Sequence, residues 1–174
     1  MIIFIRHGEK TDDEPVSLSH KGEIRAKELV KCISETFEFK IDLILAMKQN
    51  KHHTSNRPYE TVKPLADHLG IDIVSEYTAD ETKHAANWIS ENITKNILVC
   101  WEHSYLVEII KHFTKLEKIH WGENPFDHED PDDYTSIWCI NNGYLEIYRQ
   151  FEIHHNTPDY SKVSSHPILT IKIN

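Results

Sequence analysis

Hydrophobic and polar positions along the chain change period several times, and each change predicts an element. Ile2-Ile3-Phe4-Ile5 is apolar at every position, the pattern of a strand buried on both faces. A polar stretch from Gly8 to Pro15 ends it. Ser19 can then cap a helix in which Leu29, Ile33 and Phe37 recur along one side. Ile41 to Met47 is a second apolar run. Thr54 to Leu69 has the pattern of a helix, with Pro58 in its first turn and Gly70 as its stop. Ile71 to Val74 predicts a short strand and Asp80 to Ile93 a helix. Ile97 to Trp101 is another buried strand, followed by an amphipathic helix over Tyr105 to Phe113.

Strands alternating with helices predict βα units, a mainly parallel sheet and helices on both of its faces. The last third reads differently. Thr135 to Ile140 and Tyr144 to Phe151 flank Asn141-Asn142-Gly143, a hairpin signal, so the sheet is expected to gain antiparallel strands there. Ile168 to Ile173 is a candidate edge strand. No internal repeat, low-complexity tract or long linker divides the chain, and residues 1–174 are expected to form a single α/β domain. The acidic run Glu123 to Asp133 is read as a solvated loop.

Composition changes this picture only at its edges. The 174 residues carry 19 Lys and Arg against 28 Asp and Glu, a formal net charge of −9, which argues against a general affinity for nucleic acid or an anionic membrane. The first apolar run stops at Arg6, and no later one approaches the ~20 residues of a membrane span. Cys32, Cys100 and Cys139 are odd in number and far apart, with neither zinc-site spacing nor a disulfide framework. A reducing, cytoplasmic location is the expectation. Cys100, in an apolar strand, is expected to be inert. Trp88, Trp101, Trp121 and Trp138 are read as core or rim packing. The pairs His52-His53 and His154-His155 are read as surface histidines, since adjacent strand residues point to opposite faces and cannot share one ion.

The chemistry concentrates where the first strand ends. Arg6-His7-Gly8-Glu9 follows a buried strand, and ligands of open α/β sheets bind at the carboxyl ends of strands. A guanidinium there offers a planar fork to phosphate oxygens, and an imidazole nitrogen can act as a nucleophile. Gly8 lets the backbone turn close to such a site. As an isolated pair, Arg6 and His7 would simply end a strand at the surface.

The order of motifs resembles the histidine phosphatase superfamily, the group related to cofactor-dependent phosphoglycerate mutases. Arg6-His7-Gly8-Glu9 is similar to its signature, Leu18-Ser19-His20-Lys21-Gly22 to its "Leu-Thr-x-x-Gly" helix opening, and Ser55-Asn56-Arg57-Pro58-Tyr59-Glu60-Thr61 to its "Ser-x-x-Arg-x-x-x-Thr" helix start. Ile97 to His103 resembles the strand that ends in the family's second His, and Phe126-Asp127 with Thr135 to Ile140 its closing segment. The resemblance covers about residues 1 to 150.

It implies that His7 is the nucleophile and carries a phosphohistidine, with its other ring nitrogen donating to a backbone carbonyl. Arg6 and Arg57 would clamp the non-bridging oxygens, and His103 would add a donor to them. The family's proton donor is a carboxylic acid placed either between the second Arg and the second His, or beside that His. Glu81 and Glu102 are the two leading candidates, with Glu76 and Asp80 behind them. Strand alternation would turn Glu102 away from His103, but alternation often fails at a strand end, and the plainer reading of Glu102 is a structural carboxylate behind the site. Neither a metal nor another cofactor is implied. Lys10 to Glu14 departs from the pattern, because many relatives place an Asn on the phosphate where this chain has Asp13 nearby. The chain also lacks the long insertions with which mutases shield their phosphoenzyme, which favours hydrolysis. The implied substrate is a phosphorylated small molecule or a phosphoprotein. Two other readings stand beside the phosphatase: mutase-type transfer, and a non-catalytic phospho-ligand or partner-binding domain that kept the pocket.

Overall fold

The computed structural model describes residues 1–11, 16–127 and 132–173. In chain order its elements are β1 (Ile2–Arg6), α1 (His20–Lys31), β2 (Leu43–Ala46), α2 (Arg57–Leu69), β3 (Ile73–Val74), α3 (Thr82–Glu91), β4 (Ile97–Trp101), α4 (His103–Lys111), β5 (Ser136–Asn141), β6 (Tyr144–Arg149), β7 (Glu152–His154), β8 (Thr157–Asp159) and β9 (Leu169–Lys172). A π-helical turn over Cys32–Thr36 prolongs α1. Seven strands form one sheet in the order β3-β2-β4-β1-β5-β6-β9. The first four run parallel, and β5, β6 and β9 join antiparallel.

Both faces of the sheet are covered, as the unalternated strands require. Alternation within β1 splits the core: Ile2 and Phe4 pack toward α3 and α4 with Ile89, Leu106 and Ile110, while Ile3 and Ile5 pack toward α1 and α2 with Leu29, Val62 and Leu65. Trp101, Trp121 and Trp138 are fully buried. All three cysteines are buried free thiols, and burial pushes each of them up. Among the described residues, no helix is long and apolar enough to cross a membrane.

Several boundaries move for identifiable reasons. The helix expected from Thr54 begins at Arg57, because Asn50 Oδ1 accepts from the amides of His52 and His53 and holds the preceding segment in a turn. The helix expected from Asp80 begins at Thr82, since Asp80 and Glu81 are spent on a turn with Thr78. In the other direction, α4 begins two residues before the expected Tyr105, and Leu106 N donates to the Glu102 carbonyl. The first helix is capped by Ser19, whose hydroxyl accepts from Gly22 N at 3.1 Å. The β5–β6 turn is made by Asn142 and Gly143, both at positive φ, as a two-residue hairpin prefers. The small β7–β8 hairpin, with His155 and Asn156 at positive φ, was not expected from the sequence pattern.

The acidic segment is not simply a solvated loop. Glu123 forms a two-pronged ion pair with Arg149. Asp133 is buried, and its Oδ1 accepts from Thr135 N, Thr135 Oγ1 and Ser136 N. Residues 128–131 of that run, and Asp13 of the departure from the family pattern, lie outside the described residues.

Candidate active site

The parallel ladder brings two strand ends together. Arg6 pairs with Trp101 across β1 and β4, and His7 N prolongs the ladder by donating to Trp101 O at 3.1 Å. The chain beyond Trp101 turns at once into α4, so His103 is the first residue of a helix that starts beside His7. Arg57 is likewise the first residue of α2. Two helix N-termini, each the positive end of a dipole, thus carry the second Arg and the second His.

His7 is buried, and its Nδ1 lies 2.7 Å from the Gly8 carbonyl. A carbonyl only accepts, so Nδ1 carries the proton and Nε2 keeps its lone pair. Burial is the chief cause that brings the imidazole down to about 3. Arg6 and Arg57 add to this, while the Gly8 bond and Glu102 work against it. A neutral imidazole with a free nitrogen is the form a nucleophile needs.

The loop that carries His7 is fixed on three sides. Gly8 N donates to Thr61 Oγ1 at 2.8 Å, and Thr61 Oγ1 donates to Arg57 O at 2.7 Å, so one hydroxyl joins the nucleophile loop to the second Arg. The Glu9 carbonyl accepts from Ser19 N and Ser19 Oγ. The Glu9 carboxylate receives Arg25 Nε and Nη2 at 2.8 and 2.7 Å in a buried bidentate pair, and Arg25 Nη1 donates to Phe151 O. Gly8 and Gly22 face one another at close range. A Cβ on Gly22 would meet Glu9 O at 2.4 Å, and one on Gly8 would meet Gly22 O at 3.1 Å. Gly22 is therefore required by approach and Gly8 is tightly fitted, neither because of an unusual φ.

Glu102 does not turn away from His103. Its Oε1 lies 2.9 Å from His103 Nδ1 and accepts from Ser104 Oγ at 3.2 Å. Alternation fails here because α4 begins immediately after Glu102. Burial opposes ionisation of Glu102, but His103, Ser104 and the backbone at Tyr105 outweigh it and hold the carboxyl at about 2. Glu102 is also part of the field felt by His7, Arg6 and Arg57. The structure thus gathers Arg6, His7, Arg57, Glu102 and His103.

Glu81 is engaged elsewhere. Its Oε2 accepts from Thr78 N at 2.8 Å and Thr78 Oγ1 at 2.9 Å, and these bonds hold it below the usual carboxylate range. Asp80 accepts from the same hydroxyl, and Glu76 is exposed. Sequence reasoning passed over Tyr134. Its ring centroid lies 3.9 Å from Arg6 Cζ and 6.3 Å from the His7 ring, in the segment that enters β5. No signal at Tyr134 itself marks it, because the contact depends on how an antiparallel strand returns to β1. Among the described residues, no group of three His, Cys, Asp or Glu side chains is arranged to hold a metal ion.

An α/β fold of this kind is also found among solved structures. The chain is similar to the protein histidine phosphatase SixA in complex with tungstate, with 12% identity, 94% of this chain and 96% of that one covered, and a TM-score of 0.48. It is also similar to a phosphohistidine phosphatase candidate, SixA, from Agrobacterium tumefaciens, with 14% identity, 86% and 91% covered, and a TM-score of 0.51. The second likeness shows a shared fold. No family model matches the sequence, and no curated protein does.

Proposed function

We propose that residues 1–174 form one phosphatase domain of the histidine phosphatase superfamily, which hydrolyses a phosphoryl group through a phosphohistidine on His7. The observation that carries this reading is the state of His7. Its Nδ1 is tied to Gly8 O, and its Nε2 is unprotonated within the field of Arg6 and Arg57. In the first step the Nε2 lone pair attacks phosphorus in line. The P–Nε2 bond forms as the bond to the leaving group breaks, and the leaving group departs with that electron pair and takes up a proton. Water then attacks the phosphohistidine, the P–Nε2 bond breaks, and inorganic phosphate leaves with His7 restored. Arg6 and Arg57 hold the non-bridging oxygens through both steps, and His103, oriented by Glu102, donates to the same oxygens.

Glu102 then serves as an anionic partner of His103 and not as the proton donor. A carboxyl held at about 2 has no proton to give near neutrality. With Glu81 committed to Thr78, the site favours leaving groups that need no carboxylic acid. Phosphohistidine fits that requirement, and the fold shared with the Agrobacterium SixA structure is consistent with it. Alkyl phosphomonoesters would be the poorest substrates.

The test is turnover, in EDTA, of a phosphohistidine peptide, an aryl phosphate and an alkyl phosphate, with acid-labile phosphate trapped on the protein by rapid quench. The expected order of rates is phosphohistidine and aryl well above alkyl, with label on His7. Absence of turnover with all three would favour a binding module, and an alkyl rate equal to the aryl rate would restore a general acid.

A further inference from the structure

The Arg6 side chain is long and flexible, and a fork that is to meet two phosphoryl oxygens must be held in one plane. The structure holds it from the segment that enters β5, the strand paired with β1. Arg6 Nη1 donates to the Asp133 carbonyl at 3.2 Å, and the same carbonyl accepts from Trp121 Nε1 at 3.2 Å. Trp121 is itself stacked on Trp138, with centroids 5.2 Å apart and planes at 17°. The next residue, Tyr134, lays its ring against the guanidinium, and its carbonyl accepts from Gln150 Nε2 at 2.9 Å. Gln150 N donates to Thr135 O, and the Asp133 carboxylate caps the turn into β5. The segment that presents the ring is thus pinned at three consecutive residues.

We propose that Tyr134 is a positioning residue of the phosphoryl site, its ring fixing the plane of the Arg6 guanidinium beside His7. The inference rests on the phosphatase reading above. A ring face contacts the cation without consuming an N–H, so stacking orients the fork while leaving its donors to other acceptors. The carbonyl at Nη1 fixes the position of one arm, and the ring face against Cζ fixes the plane of the guanidinium. The aromatic face is what matters, so phenylalanine should replace tyrosine and an aliphatic residue should not.

The experiment compares Tyr134→Phe, Tyr134→Leu and Tyr134→Ala for aryl phosphate turnover and for binding of inorganic phosphate by calorimetry, with thermal melts as a control on folding. Tyr134→Phe should stay within about threefold of the parent. Tyr134→Leu and Tyr134→Ala should lose roughly 10–100-fold in kcat/KM, because a small misplacement of a clamp is costly. They should also bind phosphate several-fold more weakly. In an Arg6→Ala background, Tyr134→Leu should have little further effect, since it acts through Arg6. The inference is overturned by full activity in Tyr134→Leu, by a Phe variant as poor as the Leu variant, or by an effect that persists undiminished without Arg6. A parent protein that neither turns over substrate nor forms a phosphoenzyme would sink the phosphatase reading instead. Phosphate binding would then still report whether Tyr134 holds the clamp.

Discussion

The two halves of the sheet contribute to the candidate site in different ways. The parallel half, β3-β2-β4-β1, and the helices that follow its strands carry Arg6, His7, Arg57, Glu102 and His103, whose chemistry can be named from residue type. The antiparallel half, β5-β6-β9, brings a backbone carbonyl and a ring face, at Asp133 and Tyr134. One half carries the side chains of the candidate site, and the other braces one of them, Arg6. β1 is the seam, since it pairs in parallel with β4 and antiparallel with β5. The lesson is that an active site at a strand end can be divided between groups recognisable by kind and groups recognisable only by place.

Substitutions can separate these contributions. The largest loss is expected at the nucleophile: His7→Ala should reduce turnover by at least about 10³-fold and abolish the acid-labile phosphoenzyme. Near-parental activity in that protein would remove the mechanism altogether. Next in size, Arg57→Ala should cost roughly 10²–10³-fold in kcat/KM, with Arg57→Lys recovering part of the loss. Equal rates for the two variants would show that Arg57 makes no directed, two-pronged contact. Smaller again, Glu102→Gln should slow aryl and alkyl phosphates alike, by about tenfold, because it acts through His103. A selective loss of roughly 10²-fold or more on the alkyl substrate would identify Glu102 as a general acid instead.

The smallest effect is on stability, and its sign follows from the buried histidine. Unfolded His7 would protonate near 6.5, whereas the folded residue does so only at about 3. Between those values the unfolded chain binds the extra proton, so stability falls as pH drops through that window. The slope from one site is at most about 1.4 kcal/mol per pH unit. Glu102, held at about 2, adds a loss in the same direction at lower pH, between its usual value of 4.5 and 2. Denaturant titrations from pH 7 to pH 4 should show this decline, and His7→Gln should flatten it. An unchanged slope in His7→Gln would mean that other groups account for the acid sensitivity.

Much of the parallel half was legible in the sequence because burial on both faces writes itself as unbroken apolar runs. Ile97 to Trp101 matches β4 at both ends. Arg57 and Thr61 were readable together, since a spacing of four puts them on one side of a helix, where Thr61 meets Gly8. Glu102 was legible only as one carboxylate among several, because strand alternation is no guide where the chain becomes helical at the next residue. Glu81 was selected by its position in the family pattern, but Thr78 occupies it in the turn before α3. Tyr134 and the Asp133 carbonyl left no trace, since neither periodicity nor residue type encodes which backbone atom will face Arg6 across a sheet. The antiparallel strands themselves were foreseeable from Asn142-Gly143, but what they deliver at their far end was not.

The bond between Arg6 Nη1 and Asp133 O joins residues 127 positions apart, whereas Gly8 and Thr61 are 53 apart. These separations give the site a place in the order of folding. Closing such long loops is entropically expensive, and contacts of this span form late in a search that starts locally. The signature residues stand far ahead of β5 in the chain, and their final arrangement includes contacts with the segment that enters it. Recovery of activity in a refolding reaction is thus expected to require β5 as well as the strand that carries His7. A peptide containing Arg6-His7-Gly8 alone would have the letters of the motif without its geometry.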